Sequence, residues 1–357
     1  MRVLTVIGSR PQFVKAAAVS RRLRAEHEEL LINTGQHYDD ELSTIFVTEL
    51  GIPKPDLDLG LGGGTNTEQT AAMLAALAPV IAARAPDAVL VYGDTNSTLA
   101  GGLAAAQAGV PVAHVEAGMR SFDRRMPEEL NRVLTDHLSA LLLVPTPAAV
   151  ANLEREHVSG RVALVGDVMV DIAALVRPRA IDDRTPLDAA GVEPGGYVLA
   201  TTHRAGNVDD PARLRRLVDL FLAVPGTVVL PLHPRTRRRL DEAGWLGELE
   251  AAPSIRLLAP QGYLAFTALL TQARAVLTDS GGVQKEAYLA GVRCVTLRDT
   301  TEWGETVTAG WNAIVDLDRD RALAELDRPL PDEHPELYGD GQAGARVVAE
   351  LGALLGP

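Results

Sequence analysis

The chain has 357 residues, of which 46% are hydrophobic, and it carries a formal net charge of −13 at pH 7. This length exceeds that of a usual single hydrophobic core, so we expect two domains. The acidic charge argues against a nucleic-acid-binding protein, which would need a clustered basic face, and no apolar run is long enough to predict a transmembrane helix.

Strand-like runs alternate with helical patterns from one end of the chain to the other. The predicted strands are, in order, Val3–Ile7, Leu30–Asn33, Ala88–Gly93, Val110–Glu116, Leu141–Val144, Tyr197–Thr202, Val228–His233, Ala275–Asp279 and Arg293–Leu297. The predicted helices include Lys15–Arg24, Ser97–Ala108, Pro127–Leu138 and Val283–Ala290. This alternation predicts an α/β protein in which helices cover both faces of parallel sheets.

The alternation pauses between residues 171 and 196, where prolines, glycines and charged residues are concentrated. We therefore predict a first domain of residues 1–170 and a second domain of residues 171–335. An acidic loop that contains proline comes next, followed by the amphipathic run Ala343–Leu355. We predict that residues 336–357 form a helix that packs back on the first domain.

The segment Gly8–Lys15 follows the first predicted strand and lacks the Gly-x-Gly-x-x-Gly pattern of a dinucleotide-binding loop. Pro11 suits an early helical position, which places Arg10 at the carboxyl edge of the sheet and Lys15 about one turn into the helix. The two cations predict either an anion-binding site or an ordinary strand–helix turn with solvated side chains.

Two carboxylates end consecutive strands in the first half of the chain. Asp94 follows the strand that begins at Ala88, and Glu116 ends the next one. Consecutive strands are often neighbours in a sheet, and their carboxyl ends line the crevice where open α/β sheets bind ligands. Asp94 alone would suit a helix-capping role, but the pair favours a catalytic function.

Two more carboxylates, Glu128 and Glu129, lie in the first turn of the helix that begins at Pro127, where the helix dipole favours an ionised group. Dipole compensation is sufficient to explain Glu129. We predict that Glu128 acts together with Glu116 on one small molecule from two sides. Arginines of the intervening loop are available to hold its anionic groups: Arg120, Arg124 and Arg125.

The same helix carries an apolar stripe. Leu130, Val133, Leu134 and Leu138 recur at spacings of three and four residues. This spacing places them on one helical face, which we predict to belong to the core of the first domain.

Two histidines in the second half follow predicted strands. His203 has an arginine neighbour, Arg204, and a loop after it, which favours a histidine that faces an anion. His233 has the same layout, but Pro234 already explains its turn, so its signal is weaker.

The segment Ser280–Glu286 gives the strongest signal for phosphate binding. Ser280 can cap the next helix, and Gly281 and Gly282 would let a phosphate approach backbone N–H groups at the helix start. Glu286, one turn inside the helix, could accept hydrogen bonds from ribose hydroxyls. The alternative is a tight turn that needs glycine only for packing.

No set of histidines, cysteines and carboxylates in the sequence has the spacing of a zinc site, and neither a Gly-x-Ser-x-Gly elbow nor a Walker loop is present. The sequence therefore predicts no bound metal, no acyl-enzyme and no NTP hydrolysis. The single cysteine, Cys294, cannot form an internal disulfide, and the first residues lack the pattern of a signal peptide. We therefore expect a cytoplasmic protein.

Taken in order, these motifs resemble those of the non-hydrolysing UDP-N-acetylglucosamine 2-epimerase family, and the resemblance covers nearly the whole chain. It implies two Rossmann-like domains that face a cleft, as in glycosyltransferases of the B type, and it implies a homodimer. The segments that carry it are Gly8–Lys15, Asn33–Asp39, Gly93–Thr98, His114–Arg132, Gly166–Met169, His203–Asn207, His233–Thr236 and Ser280–Glu286.

The resemblance implies an isomerase that uses no cofactor and converts a UDP-2-acetamido sugar, most simply UDP-GlcNAc, reversibly into UDP-ManNAc. The C2 proton is removed as UDP leaves, a 2-acetamidoglucal forms, and UDP adds back with a proton on the opposite face. The matching catalytic positions are Asp94, Glu116, Glu128 and His203, and which carboxylate removes the proton stays open. The matching UDP-binding positions are Arg10, Lys15, His203, Ser280, Gly281, Gly282 and Glu286.

Some positions differ from those of many bacterial members. Asp39 and Glu68 stand where members that are activated by substrate at a second site carry glutamine and arginine, so we expect no such allosteric activation. Gly206 and the segment Glu302–Glu305 also differ. The sequence His-Val-Glu-Ala-Gly at 114–118 argues against simple hydrolysis, since hydrolysing epimerases carry His-Ile-Glu-Gly-Gly.

Three alternatives stay open. The substrate could be a modified UDP-sugar, such as a diacetamido uronic acid, because relatives act on such compounds. A glycosyltransferase of the same fold would release UDP only with an acceptor. A regulator that binds a UDP-sugar would show tight binding without turnover.

Overall fold

The computed structural model describes residues 1–36 and 51–355, so Asp39 lies outside the described residues. The chain divides into two compact units. Unit 1 comprises Met1–Ala174 and Tyr338–Pro357, and unit 2 comprises Leu175–Leu337. The first boundary falls within a helix, Val168–Asp182, so the segment in which the predicted alternation pauses begins as a helix and not as an open loop.

Unit 1 is built on a parallel sheet whose strands are β1 (Arg2–Ile7), β2 (Glu28–Asn33), β3 (Leu57–Asp58), β4 (Ala88–Tyr92), β5 (Val112–Val115), β6 (Leu141–Val144) and β7 (Arg161–Leu164). Their order across the sheet is β3-β2-β1-β4-β5-β6-β7. The helices that follow the strands are α1 (Arg10–Glu26), α2 (Asn66–Arg84), α3 (Asn96–Gln107), α4 (Pro127–Leu138), α5 (Pro147–Arg155) and α6 (Val168–Asp182).

Unit 2 repeats this plan with a parallel sheet of β8 (Tyr197–Thr201), β9 (Thr227–Pro231), β10 (Ile255–Leu258), β11 (Ala275–Thr278), β12 (Arg293–Thr296) and β13 (Asn312–Ile314). The order is β10-β9-β8-β11-β12-β13. Its helices are α7 (Thr185–Ala190), α8 (Ala205–Val208), α9 (Pro211–Ala223), α10 (Pro234–Glu242), α11 (Leu246–Ala251), α12 (Tyr263–Thr271), α13 (Gly281–Ala290), α14 (Gly304–Thr308) and α15 (Arg319–Asp327).

The central strands are apolar along their whole length. All residues of β4 and of β6 are buried, as expected for parallel strands that helices cover on both faces. In each sheet the strand order reverses next to the first strand, at β1/β4 in unit 1 and at β8/β11 in unit 2. Open α/β sheets bind ligands outside the carboxyl ends of the strands at this switch point.

The C-terminal helix α16 (Ala343–Leu355) belongs to unit 1 and packs against α1. The Asp171 carboxylate accepts hydrogen bonds from the N–H groups of Ala343 and Gly344, both at 3.0 Å, and so caps this helix. Gly344 lets the two helices approach closely, because a Cβ there would overlap the Ala18 carbonyl oxygen.

The predicted α/β class is confirmed, and every predicted strand is present with ends shifted by one or two residues. The strand predicted over Val110–Glu116 is shorter in the structure and ends at Val115, because Glu116 has a φ of +70°, which does not fit a strand. Within the described residues, none of the helices combines the length and the apolar character needed to span a membrane.

The prediction for the apolar stripe of α4 is wrong. Leu130 is 46% exposed and Leu134 is 50% exposed, whereas the buried residues of this helix are polar. The buried face consists of Glu129, Asn131, Arg132, Thr135 and Asp136. The hydrophobic pattern failed here because the polar face makes ion pairs and hydrogen bonds with the ends of β4 and β5, which outweigh the loss of apolar burial.

Glu68, one of the positions that differ from the allosterically activated members, lies in the first turn of α2. Its carboxylate accepts a hydrogen bond from the Thr65 N–H at 2.8 Å, and the Thr65 side chain accepts one from the Glu68 N–H. This capping box gives Glu68 a structural role at the helix start.

Candidate active site

The carboxyl edge of the unit 1 sheet gathers most of the site residues predicted in the first half of the chain. Tyr92 at the end of β4 pairs with Val115 at the end of β5, so Asp94 and Glu116 extend from adjacent strands. The Gly93 N–H donates to the Val115 carbonyl at 3.0 Å and ties the two strand ends together. Arg10, the first residue of α1, follows the neighbouring strand β1.

Glu116 is held in a left-handed backbone conformation. Its φ of +70° costs a residue with a side chain about 1–2 kcal/mol. Its N–H donates to the Leu143 carbonyl at 3.0 Å, which anchors the strained turn. Local strain of this kind is typical of functional positions, where surrounding contacts impose it.

Lys15 on α1 forms an ion pair between its Nζ and Glu116 Oε2. Both side chains are almost entirely shielded from solvent. The pair places a cationic side chain directly on the Glu116 carboxylate. In the structure Lys15 contacts a carboxylate, and the role at the substrate diphosphate that the resemblance implies for it stays a prediction.

Asp94 is paired with a cation of its own. Its Oδ2 lies 2.5 Å from Arg132 Nη2, and Arg132 Nη1 donates to Glu129 Oε2 at 3.0 Å. The Asp94 carbonyl accepts a hydrogen bond from Asn131 Nδ2 at 2.9 Å. The polar face of α4 therefore orients the end of β4, and this explains why that face is buried.

Glu129 has a larger role than the helix dipole suggests. It is 2% exposed, and its carboxylate accepts hydrogen bonds from the N–H groups of Ser121 and Phe122 at 2.9 and 3.0 Å. Burial raises the pKa of Glu129, but the hydrogen bonds from Ser121, Arg132 and Phe122 outweigh it and lower this pKa. Glu128, the neighbouring residue, is only half-buried.

The arginines of the loop after β5 differ in what they contact. Arg120 is buried, and its Nη1 lies 2.7 Å from Asp136 Oδ2 while its Nη2 lies 2.7 Å from Glu156 Oε2. Arg125 binds the neighbouring Asp123 at 2.8 Å, which lowers the pKa of this carboxyl to about 2. Arg124 is exposed. Arg120 is therefore part of the scaffold of the loop.

In unit 2, the loop after β8 is organised by an aspartate that the sequence analysis did not single out. Asp279 follows β11 and is fully buried. Its carboxylate accepts hydrogen bonds from the N–H groups of His203 and Arg204 at 3.1 Å, and from Asn207 Nδ2 at 3.1 Å. The position of the His203 backbone thus depends on Asp279.

The ring of His203 lies next to a second histidine. The ring centroids of His203 and His233 are 5.5 Å apart, with an angle of 31° between the planes. His233 Nδ1 accepts a hydrogen bond from the Arg235 N–H at 3.1 Å and caps α10. The Arg235 guanidinium binds Asp209. The turn at His233 and the arginine that follows it therefore both have structural roles.

The segment Ser280–Glu286 forms the start of α13, with Ser280 as the N-cap. Gly281 allows close approach, because a Cβ there would overlap the Glu302 carboxylate, and Gly282 is exposed. Glu286 lies about one turn into the helix and is half-buried. Exposed backbone at a helix N-terminus is suited to binding an anion.

Trp303, in the segment Glu302–Glu305 at which the chain differs from many bacterial members, lies near this helix start. Trp303 Nε1 lies 3.6 Å from the position that a Cβ of Gly281 would take. The Nζ of Lys285, a buried residue of α13, lies 4.3 Å from the centroid of the Trp303 ring. A cation–π contact therefore joins the Lys285 and Trp303 side chains.

Each unit thus presents a different chemistry at the carboxyl edge of its sheet. Unit 1 presents carboxylates that contact Lys15 and Arg132, and unit 2 presents a helix N-terminus and His203. Among the residues that the structure describes, no group of three or more histidines, cysteines and carboxylates could hold a metal ion. Carboxylates suit proton transfer, and the helix N-terminus suits a phosphate.

Comparison with known proteins agrees with this arrangement. A family model described as UDP-N-acetylglucosamine 2-epimerase matches residues 21–352. A UDP-2,3-diacetamido-2,3-dideoxy-D-glucuronate 2-epimerase of Pseudomonas aeruginosa is 46% identical over 99% of this chain and 100% of its own length. A UDP-N-acetylglucosamine 2-epimerase of Methanocaldococcus jannaschii is 39% identical over 98% of this chain and 99% of its own length.

A crystal structure of the Methanocaldococcus jannaschii UDP-GlcNAc 2-epimerase in complex with UDP-GlcNAc and UDP superposes with a TM-score of 0.91. It shares 38% sequence identity and covers 98% of this chain and 99% of its own. The family match and these similarities extend over both units. The chain therefore belongs to the UDP-N-acetylglucosamine 2-epimerase family and is an isomerase.

Proposed function

We propose that the enzyme catalyses the reversible C2 epimerisation of a UDP-2-acetamido sugar, most simply of UDP-GlcNAc to UDP-ManNAc. The reaction is an anti elimination. The C2 proton is removed, the bond between C1 and the UDP oxygen breaks, and a 2-acetamidoglucal with a C1=C2 double bond forms. UDP then adds back to C1 while a proton is delivered to the opposite face of C2.

The observation that carries this proposal is the pair of carboxylates at the ends of the adjacent strands β4 and β5. Removal and return of a proton at opposite faces of one carbon needs two acid/base groups. Glu116 is paired with Lys15, and Asp94 is paired with Arg132 at 2.5 Å, so each carboxylate is held in place by a cationic side chain. We assign Asp94, Glu116 and Glu128 to proton transfer without specifying which of them removes the C2 proton.

The remaining residues are assigned to UDP. The leaving diphosphate needs positive groups and hydrogen-bond donors, and His203 and the start of α13 offer both in unit 2. Glu286 is assigned to the ribose hydroxyls. The residues that we propose for the diphosphate are Arg10, Lys15, His203, Ser280, Gly281 and Gly282.

The proposal is tested by incubating the enzyme with UDP-GlcNAc in D2O and following the C2 proton by NMR. We expect the C2 signal of UDP-GlcNAc to disappear and UDP-ManNAc that carries deuterium at C2 to appear. Absence of exchange with any UDP-HexNAc would refute the proposal. UDP release that depends on an added acceptor would identify a glycosyltransferase, and binding without exchange would identify a regulator.

The roles of the carboxylates are tested by the isosteric variants Asp94→Asn, Glu116→Gln and Glu128→Gln. General acid/base groups contribute about 10²- to 10⁴-fold to a rate, and we expect losses of kcat in this range. Glu154→Gln, which changes an exposed residue on α5, is the matched control and should retain wild-type kcat.

A second substrate is favoured by the comparison with the Pseudomonas aeruginosa enzyme, which acts on UDP-2,3-diacetamido-2,3-dideoxy-D-glucuronate by its name and is 46% identical. The same elimination chemistry would apply to this sugar, because its C2 also carries an acetamido group. Values of kcat/KM for the two UDP-sugars, measured side by side, distinguish the candidates. A ratio above about 100 would correspond to about 2.7 kcal/mol of discrimination and would identify the substrate class.

We also propose that the enzyme is a homodimer, and the exposed apolar stripe of α4 supports this. Leu130 and Leu134 expose about half of their surfaces on one helical face, an arrangement typical of an interface. Light scattering should give about twice the 37.9 kDa mass of one chain. The double variant Leu130→Glu/Leu134→Glu should be monomeric, and a monomeric wild type would contradict the proposal.

A further inference from the structure

A buried histidine connects the strand ends that carry Asp94 and Glu116. His114 lies in β5 and is fully buried. Its Nε2 lies 2.7 Å from the carbonyl oxygen of Gly93, and its Nδ1 lies 2.7 Å from Asp136 Oδ1 on α4. The imidazole therefore joins β4, β5 and α4, the three elements that present the proposed catalytic carboxylates.

Both groups that contact the His114 ring are hydrogen-bond acceptors. The Gly93 carbonyl has no proton to give. Burial raises the pKa of Asp136, but hydrogen bonding to His114, the charges of His114 and Arg120 and the bond from Arg120 outweigh it and lower this pKa. Each ring nitrogen of His114 therefore faces a hydrogen-bond acceptor, and only a doubly protonated ring can donate to both of them.

The charge of this imidazolium is balanced within unit 1. Asp136 Oδ2 lies 2.7 Å from Arg120 Nη1, and Arg120 donates to Glu156 through Nε and Nη2 at 2.8 and 2.7 Å. The two cations and two carboxylates sum to no net charge. Charges that are paired and hydrogen-bonded in this way can be buried, whereas an isolated one would lose its proton.

The same pair restrains the backbone on either side of Glu116. Gly93, Glu116 and Gly118 all have positive φ, at +63°, +70° and +77°. The His114 ring holds the Gly93 carbonyl, and Asp136 Oδ2 accepts the Gly118 N–H at 3.0 Å. The turns that carry Asp94 and Glu116 are therefore held by one ion pair.

We propose that the His114–Asp136 ion pair is a positioning device that fixes the separation of Asp94 and Glu116 and exchanges no proton with the substrate. This inference rests on the catalytic roles proposed for those two carboxylates. His114 is a positioning residue, because the groups that it touches are Asp136 and the Gly93 carbonyl.

The first test is the protonation of the ring in the unmodified enzyme. With histidines labelled by ¹⁵N, the His114 signals are assigned by their disappearance in His114→Gln. We expect two ring N–H protons for His114 at about pH 8, where an exposed histidine is neutral. A single ring N–H proton would overturn the proposal.

The second test separates the two hydrogen bonds of the ring. In His114→Gln the amide nitrogen can replace Nε2 and reach Gly93, and in His114→Asn it can replace Nδ1 and reach Asp136. Each variant keeps one bond and loses the other, so we expect kcat to fall about 10- to 100-fold while KM for the UDP-sugar is unchanged. The control is His27→Gln, a half-buried residue that follows α1 and should retain wild-type kcat.

Wild-type kcat in both His114 variants, or an effect on KM alone, would overturn the positioning role. Asp94→Asn and Glu116→Gln are assayed in parallel to separate this result from a failure of the proposed function. If those two variants are inactive while the His114 variants are fully active, the positioning role alone is refuted. Full activity of Asp94→Asn and Glu116→Gln would refute both proposals.

Discussion

Units 1 and 2 both organise their candidate site residues around a fully buried aspartate, but they neutralise its charge in different ways. Asp136 in unit 1 is paired with two cations, His114 and Arg120. Asp279 in unit 2 accepts hydrogen bonds from the backbone N–H groups of His203 and Arg204 and from the amide of Asn207. Basic side chains and the Gly118 N–H contact the first aspartate, whereas backbone and amide N–H groups make the hydrogen bonds to the second, with His203 Nδ1 at 3.7 Å.

The difference corresponds to what each unit presents. In unit 1 the carboxylates Glu116 and Asp94 have their own cations, Lys15 and Arg132, so the edge of the sheet is a set of alternating charges. In unit 2 the backbone supplies the donors for Asp279. An edge that performs proton transfer needs charged groups at fixed positions, whereas an edge that binds a phosphate needs the main chain in the correct conformation.

The largest effect is expected from Asp279→Ala, which removes the acceptor shared by three donors in unit 2. Each buried donor left without a partner costs about 1–3 kcal/mol, so we expect a loss of about 3–5 kcal/mol in the free energy of unfolding. Urea denaturation measures it, with the exposed Asp241→Ala as the control. A loss no larger than that of the control would show that the N–H groups of His203, Arg204 and Asn207 do not need the Asp279 carboxylate.

A smaller effect is expected from Gly118→Ala, which tests the rigidity of the turn after Glu116 in unit 1. The new Cβ would lie 2.5 Å from the Ala149 carbonyl oxygen, in addition to the cost of a φ of +77°. We expect a loss of about 3 kcal/mol from overlap and backbone strain together. The matched control is Gly291→Ala in unit 2, where φ is +71° and no atom lies within 4 Å, so only about 1 kcal/mol should be lost.

If both glycine variants lose the same stability in thermal unfolding, the turn after Glu116 relaxes without cost. That outcome would weaken the view that unit 1 holds its carboxylates rigidly.

Acid pH should weaken the ion-paired aspartate of unit 1. The pKa of Asp136 is lowered from its ordinary value of 3.8, so its stabilising contribution is complete above that value and is lost as the pH falls through the folded-state pKa. We expect the difference in unfolding free energy between wild type and Asp136→Asn to be constant between about pH 5 and pH 6 and to shrink in more acidic solution. A difference that grows on acidification would contradict this.

The smallest effect concerns the strained backbone of Glu116. Both Glu116→Gln and Glu116→Gly remove the carboxylate and should lower kcat to a similar extent. Glycine adopts a φ of +70° without the penalty of a side chain, so Glu116→Gly should be more stable than Glu116→Gln by about 1 kcal/mol. Equal melting temperatures would show that the strain is already relieved in the folded protein.

Much of the site could be predicted from the sequence because its residues follow apolar strands. Asp94, Glu116, His203 and Ser280 all come directly after a run that is buried in the structure. In parallel sheets such residues gather at one edge, so their position along the chain already indicates their position in space. The partners of these residues were not predicted, because pairs such as Lys15 and Glu116 are 101 residues apart.

The α4 helix shows where a local pattern misleads. Its apolar residues recur with helical spacing, yet the structure exposes Leu130 and Leu134 and buries Arg132 and Asp136. The spacing of the apolar residues shows that they share one helical face, but it does not show whether that face packs against the sheet. That choice depends on the ends of β4 and β5, whose polar groups are satisfied only by the polar face of this helix.

The sequence by itself determined the α/β class, the order of the strands and helices, and the residues that stand at the carboxyl edges of the two sheets. These follow from hydrophobic periodicity and from breakers along the chain, which are local properties. Only the tertiary structure decided which face of α4 is buried, that Asp136 and Asp279 are the anchors, and that His114 bridges two strand ends. Buried polar groups need partners, and those partners come from segments that are distant in the sequence.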